Sequence, residues 1–222
     1  VIKFGGGAKS QRPAARPSIK EFEEMATEVY EPVTETPDEL RLTRRRATVE
    51  EFWSLPESVL PAEYVNGEII MAPSPTVLHQ AVQGNLYYTL RTFVQDNGLG
   101  RVFTSPLDVA LPTGEVVQPD LFFLNAKQAE HVRAAKRVEA VPLFLVEILS
   151  PGSATHDTIT KRELYEQNGV REYWIVDVEK RSIAQLVLRK KHYALTELGE
   201  GDAIKGVVLA GFEMKVGELL GV

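Results

Sequence analysis

The 222 residues, 44% hydrophobic and 25% charged, leave room for one sizeable core plus an extension, and a net charge of −6 argues against coating nucleic acid by bulk electrostatics. The chain has no cysteine, which excludes disulfides, thiolate catalysis and Cys-ligated zinc, so any metal must be held by oxygen or by one of four histidines. No apolar run reaches the roughly 20 residues that span a bilayer and the N-terminus lacks a secretory pattern, so a cytoplasmic protein without a membrane partner is expected.

Residues 1–38 are rich in Gly, Pro, Ala, Glu and Lys, with one weak amphipathic stretch around Ile19 to Tyr30, and read as a mobile extension. The chain begins at Val1, so an initiator methionine is expected to have been lost. Phe4-Gly-Gly-Gly-Ala-Lys-Ser10 has the composition of a phosphate loop but not its Gly-Lys-Ser order, and no buried strand precedes it. Residues 39–222 are expected to form the packed domain. Arg41, Arg44, Arg45 and Arg46 read as a solvated linker, and Arg189, Lys190 and Lys191 as a solvated hairpin turn.

Thr48-Val-Glu-Glu51 is a capping box that should open a short helix, with Phe52, Trp53 and Leu55 on its apolar side and Pro56 at its end. Ala62 to Met71 reads as a hairpin, because Asn66-Gly67 suits a two-residue turn with positive φ at both positions. From Val77 to Asn97 the apolar period becomes helical, through Leu78, Val82, Leu86, Leu90, Phe93 and Val94, until Gly98 stops it. Strands are expected at 101–104, 107–111, 115–118 and 121–124, then a short exposed helix within Lys127 to Val138. A strand at Leu143 to Leu149 leads into a helix ending at Gly169, followed by strands at 172–177, 182–188 and 192–196 and a terminal strand and helix. This order predicts an α/β or α+β fold, a mixed central sheet flanked by helices.

The informative residue is Glu147. Alternation puts Leu143, Leu145, Glu147 and Leu149 on one face of a strand that is otherwise apolar on both sides. A carboxylate there needs a proton, a partner or a cation, since desolvating the ion costs several kcal/mol, roughly. Asp120, in Gln118-Pro119-Asp120, leads into a second buried run, so the two acids can converge on one divalent cation such as Mg²⁺, with Mn²⁺ as a substitute. On the helix that follows, Asp157, Lys161 and Tyr165 share a face, and Lys161 is placed to offer a positive donor to a phosphoryl group. Plain alternatives stand beside each piece: Asp120 as a turn cap, Asp157 with Lys161 as a surface pair, and Glu147 paired to an arginine.

Val146-Glu-Ile-Leu-Ser-Pro151, the spacing of Asp157, Lys161 and Tyr165, Gly169-Val170, Glu172-Tyr-Trp-Ile-Val-Asp177 and Pro119-Asp120 resemble a restriction endonuclease family formerly catalogued as a domain of unknown function, within the PD-(D/E)xK nuclease superfamily. Glu63, Gly67, Met71, Pro73, Ser74 and His79 fit its N-terminal signature, and the match runs from Leu42 to Thr196. The resemblance implies a restriction-endonuclease-like fold, Asp120 and Glu147 as metal ligands, and the Ile148 carbonyl as a further ligand. Leu149 stands where the superfamily motif has lysine, and the resemblance suggests that Lys161 takes over that role. Glu63 is either an additional metal-directed acid or a hairpin anchor. His79 caps or packs, or takes part in the site; Tyr165 packs on the sheet or acts in the chemistry; Trp174 reads as core. The function implied is metal-dependent hydrolysis of DNA phosphodiester bonds, with a homodimer suggested by analogy for cutting both strands. The rival reading is a nuclease-like fold kept as a nucleic-acid or protein interaction module.

Overall fold

The computed structural model describes residues 43–55, 61–71, 74–150 and 153–221; the expected extension, Arg41, Leu42, Pro56, Pro73, Pro151 and Gly152 lie outside them. Strand β1 (Thr43–Arg46) holds three successive arginines and pairs antiparallel with a later strand, so the stretch expected as linker is a sheet edge. Pairing uses backbone groups, and charged side chains are common on edge strands, so the lack of apolar alternation hid it. Helix α1 (Val49–Trp53) starts at the expected capping box, with both reciprocal Thr48–Glu51 bonds present. Phe52 is buried, whereas Trp53 and Leu55 are exposed, contrary to the expected apolar side.

Strands β2 (Ala62–Val65) and β3 (Glu68–Met71) form the hairpin, with Asn66 at φ 52° and Gly67 at φ 76° as the two-residue turn requires. Helix α2 (Val77–Asp96) begins on Thr76, whose hydroxyl accepts from the His79 amide at 3.1 Å. Its buried stripe is His79, Val82, Gln83, Leu86, Leu90 and Val94, so the face turns polar at its first turns. Leu78, expected on that stripe, is 45% exposed.

Strands β4 (Gly100–Thr104), β5 (Val109–Ala110), β6 (Val116–Val117) and β7 (Leu121–Asn125) follow, then helix α3 (Ala126–His131) and the fully buried β8 (Phe144–Ile148). The connection out of β8 passes through a π-helical turn (His156–Lys161) into helix α4 (Arg162–Gln167). Strands β9 (Glu172–Asp177), β10 (Ser182–Arg189), β11 (His192–Leu198), β12 (Ala203–Lys205) and β13 (Glu213–Lys215) precede helix α5 (Val216–Leu220).

The six-stranded sheet runs β11-β10-β9-β8-β7-β4 and is mixed: β8 and β9 are parallel, joined by the π turn and α4, and the other pairs are antiparallel. A parallel pair needs such a crossover. A five-stranded sheet runs β1-β3-β2-β6-β5, and β12 pairs with β13. One face of the large sheet (Leu121, Phe123, Phe144, Val146, Ile148, Trp174) packs on α2 and α5. The opposite face (Phe122, Leu124, Leu145, Tyr173, Ile175) packs on α4 and on Val65, Ile70 and Val117 of the smaller sheet. The β7–β8 register pairs Leu121 with Val146, so Asp120 and Glu147 meet one step beyond that pair at one end of the sheet. No described helix is long and apolar enough to cross a membrane.

Candidate active site

Glu147 lies buried on β8, facing the α4 side of the sheet as alternation requires, with Leu145 and Leu149 in the same cluster. Leu143, ahead of the strand, packs on the opposite face. The partner that answers Glu147 is Lys161: its Nζ lies 2.9 Å from Glu147 Oε1, 2.9 Å from Glu63 Oε1 and 3.4 Å from Asp157 Oδ1. The Tyr165 hydroxyl donates to the same Glu147 oxygen at 2.7 Å, so Tyr165 both packs on the sheet and orients the acid. Asp157, Lys161 and Tyr165 share the face expected of them, and Asp157 with Lys161 is a buried pair, not a surface one.

Asp120 interlocks with the same strand. Its amide donates to Glu147 Oε2 at 3.3 Å, and its own Oδ2 accepts from the Ile148 amide at 2.8 Å. His79 Nε2 stands 3.2 Å from that Oδ2, and burial, which favours the neutral ring, is outweighed by Asp120, whose hydrogen bond and charge raise the imidazole pKa. Gln83, one turn along α2, donates to the Asp120 carbonyl at 2.9 Å. The polar start of the α2 stripe is thus the support of Asp120. Glu63, on β2, accepts from the Gln118 amide at 2.8 Å, so it ties the hairpin to the segment carrying Asp120 while reaching Lys161.

Two carboxylates equally close to Lys161 respond in opposite directions. Burial pushes Glu63 up, but the Lys161 charge, His156 and the Gln118 amide together bring it down to about 2. Burial pushes Glu147 well above the ordinary carboxylate range; Lys161 opposes this, whereas Asp157, Asp120 and Glu63 add to it. Asp157 is raised chiefly by burial. Burial disfavours the Lys161 ammonium, yet the surrounding acids, Glu147 first, hold its pKa well above that of free lysine. Three carboxylates, Glu63, Glu147 and Asp157, therefore contact one lysine, and Asp120, whose amide bonds Glu147, makes a fourth acid in the cluster, an excess of acids over ammonium groups.

That excess suits a divalent cation. Among the described residues no group of three or more His, Asp and Glu side chains is spaced to hold a metal. Two carboxylates, Asp120 and Glu147, could still offer oxygen donors to such an ion.

His156 went unnoticed in the sequence. It is buried, its Nε2 lies 3.4 Å from Glu63 Oε2 without hydrogen-bond alignment, and neither ring nitrogen has a hydrogen-bond partner among the described residues. In an α-helix His156 and Lys161 would point about 140° apart. The π turn, bonded i→i+5, brings both to Glu63. A histidine adjoining Asp157 just after a buried acidic strand was the available signal.

Residues 49–217 match the model of the Uma2 family, described as putative restriction endonuclease. The chain belongs to the Uma2 family. A crystal structure of a putative nuclease of a domain-of-unknown-function family from Anabaena variabilis has the same fold, with a TM-score of 0.69 at 20% identity, over 78% of this chain and 97% of that one. No curated protein matches the chain. In this Uma2 chain the position two after Glu147 is Leu149, and the nearest ammonium comes from the crossover helix.

Proposed function

We propose that the chain is a metal-dependent endonuclease that hydrolyses phosphodiester bonds of DNA, in which Asp120, Glu147 and the Ile148 carbonyl hold Mg²⁺, with Mn²⁺ as a substitute. Residues 39–222 form the catalytic domain in this reading, and a homodimer would bring one site to each strand of a duplex. The observation that carries it is the 2.9 Å contact from Lys161 Nζ to Glu147 Oε1, which supplies from the π turn the positive charge missing at Leu149. Family membership supports the nuclease class.

A bound divalent cation would polarise the phosphoryl group and acidify a coordinated water. The protein's own groups have separable tasks. Lys161, its pKa raised, is an ammonium at neutral pH, so it donates N–H to a phosphate oxygen as charge grows there and does not act as a base. Tyr165, whose phenol burial holds protonated, is a fixed donor that keeps Glu147 in one rotamer. His79 and the Ile148 amide hold Asp120 Oδ2. Glu63 steadies Lys161.

Supercoiled DNA incubated with the protein in Mg²⁺, Mn²⁺ or EDTA tests this. We expect nicking that requires the cation and is lost in Asp120→Ala and Glu147→Ala. DNA binding that persists in both variants, with no cleavage by the wild type in either metal, would instead identify an interaction module.

A further inference from the structure

The candidate active site has an electrostatic problem. Three carboxylates contact one lysine and Asp120 adjoins them, yet a nuclease must draw a polyanion to that place. Even a divalent cation leaves the cluster short of positive charge, so fixed cations are needed beside it, where the nucleic acid backbone would run.

The smaller sheet places them. Register aligns Arg44 with Ile70 on β3 and Ile70 with Glu63 on β2, while Arg46 aligns with Glu68 and Glu68 with Val65. Residues directly opposite one another in antiparallel strands point to the same face. Arg44 and Arg46 thus share the face of Glu63, the face whose Val65 and Ile70 pack on Tyr165 and Tyr173. Arg45 aligns with Ile69 and Tyr64 and takes the other face, over Phe52. With two interstrand steps, β1 is roughly 10 Å from β2. On one DNA strand that is about three phosphates at roughly 3.4 Å each along the axis.

Among the described residues the two arginines share one acid. Both reach a single acid, Glu68, at 3.4 and 3.6 Å, and the Arg46 side chain is 86% exposed. Such long, exposed pairs are worth little to stability. One carboxylate leaves one of the two charges uncompensated, and phosphate can displace both from Glu68, because guanidinium binds phosphate in a two-pronged geometry.

We infer that Arg44 and Arg46 form a phosphate-binding rail on edge strand β1 that positions the nucleic acid backbone flanking the scissile bond. The inference rests on the nuclease reading and assigns to these residues binding rather than chemistry. Arg45, one residue from each, belongs to the opposite face and takes no part.

The test is equilibrium binding of a fluorescent DNA duplex in EDTA at several salt concentrations, for wild type, R44Q, R46Q, R44Q/R46Q and R45Q, with nicking in Mg²⁺ measured in parallel. Each phosphate contact contributes about 0.9 to the slope of log affinity against log salt. R44Q and R46Q should each lower that slope by about one, the double variant by about two, and the double variant should bind at least about tenfold more weakly at low salt. R45Q, with the same net charge as either single variant, should keep the wild-type slope. At saturating DNA the cleavage rate of R45Q should equal that of wild type. R46Q removes an exposed tip, so its result stands even if the double variant fails to fold. Equal slopes in wild type, R46Q and R45Q would overturn the rail, as would failure of the wild-type protein to bind DNA. Self-association of R46Q at unchanged DNA affinity would also overturn it and assign β1 to edge protection. Arginine-dependent binding without cleavage by the wild type would sustain the rail and sink the nuclease reading.

Discussion

Glu63 and Glu147 accept the same ammonium at the same 2.9 Å distance, and their neighbours decide which is comfortable as an anion. Glu63 has the Gln118 amide and His156 beside it; Glu147 has Asp120 and Asp157. With a folded pKa of about 2 against an ordinary value of 4.5, Glu63 contributes stability that is present above about pH 4.5 and lost as pH falls toward 2. Glu63→Gln should therefore destabilise the fold by of order 3 kcal/mol at pH 7, with the gap to wild type closing between pH 4.5 and 2 in urea titrations. Lys161→Met leaves the acids without their cation. It should cost about 3 to 5 kcal/mol at neutral pH in EDTA, because the remaining charges stay buried. Replacing a surface lysine such as Lys180, paired with Asp177 at 2.8 Å, should leave stability unchanged in the same denaturation assay.

At the scale of elements, the π turn decides which residues meet. Its six residues bring His156, Asp157 and Lys161 to one side, while Ile159 points outward. Deleting Ile159 should let the turn relax to α geometry with His156 and Lys161 four residues apart and about 40° from each other, so both should keep facing Glu63. The expected outcome is a folded protein by circular dichroism that keeps its nicking activity. The cap on α2 works similarly: Thr76→Ala should cost about 1 kcal/mol by thermal melting and loosen the turn that holds His79. These elements also show what was readable. The hairpin was legible because Asn66-Gly67 permits few conformations, and α2 because apolar residues recur at helical spacing. Strand β1 left no apolar signature, and a π turn changes phase through backbone bonding that no side-chain period announces. His156 was lost with it, since an α-helical reading points it away from Lys161.

In the whole molecule the site lies where the two sheets meet the ends of β7 and β8. That Asp120 and Glu147 lie together was readable from two acids on buried runs; their interlock, from the Asp120 amide to Glu147 and from the Ile148 amide to Asp120, depends on antiparallel register. The division into a six-stranded and a five-stranded sheet was not readable, because short strands such as β5 and β6 carry too few residues to declare their partners. What this architecture leaves at its centre is a cluster of acids around one lysine, which the proposed divalent cation would complete. Calorimetric titration of the metal-free protein with Mn²⁺ asks this directly, beside Asp120→Ala, Glu147→Gln and Arg45→Gln. Saturable binding is expected in wild type and Arg45→Gln and should disappear in Asp120→Ala and Glu147→Gln. No binding to the wild-type protein, or equal binding after loss of Asp120, would contradict it.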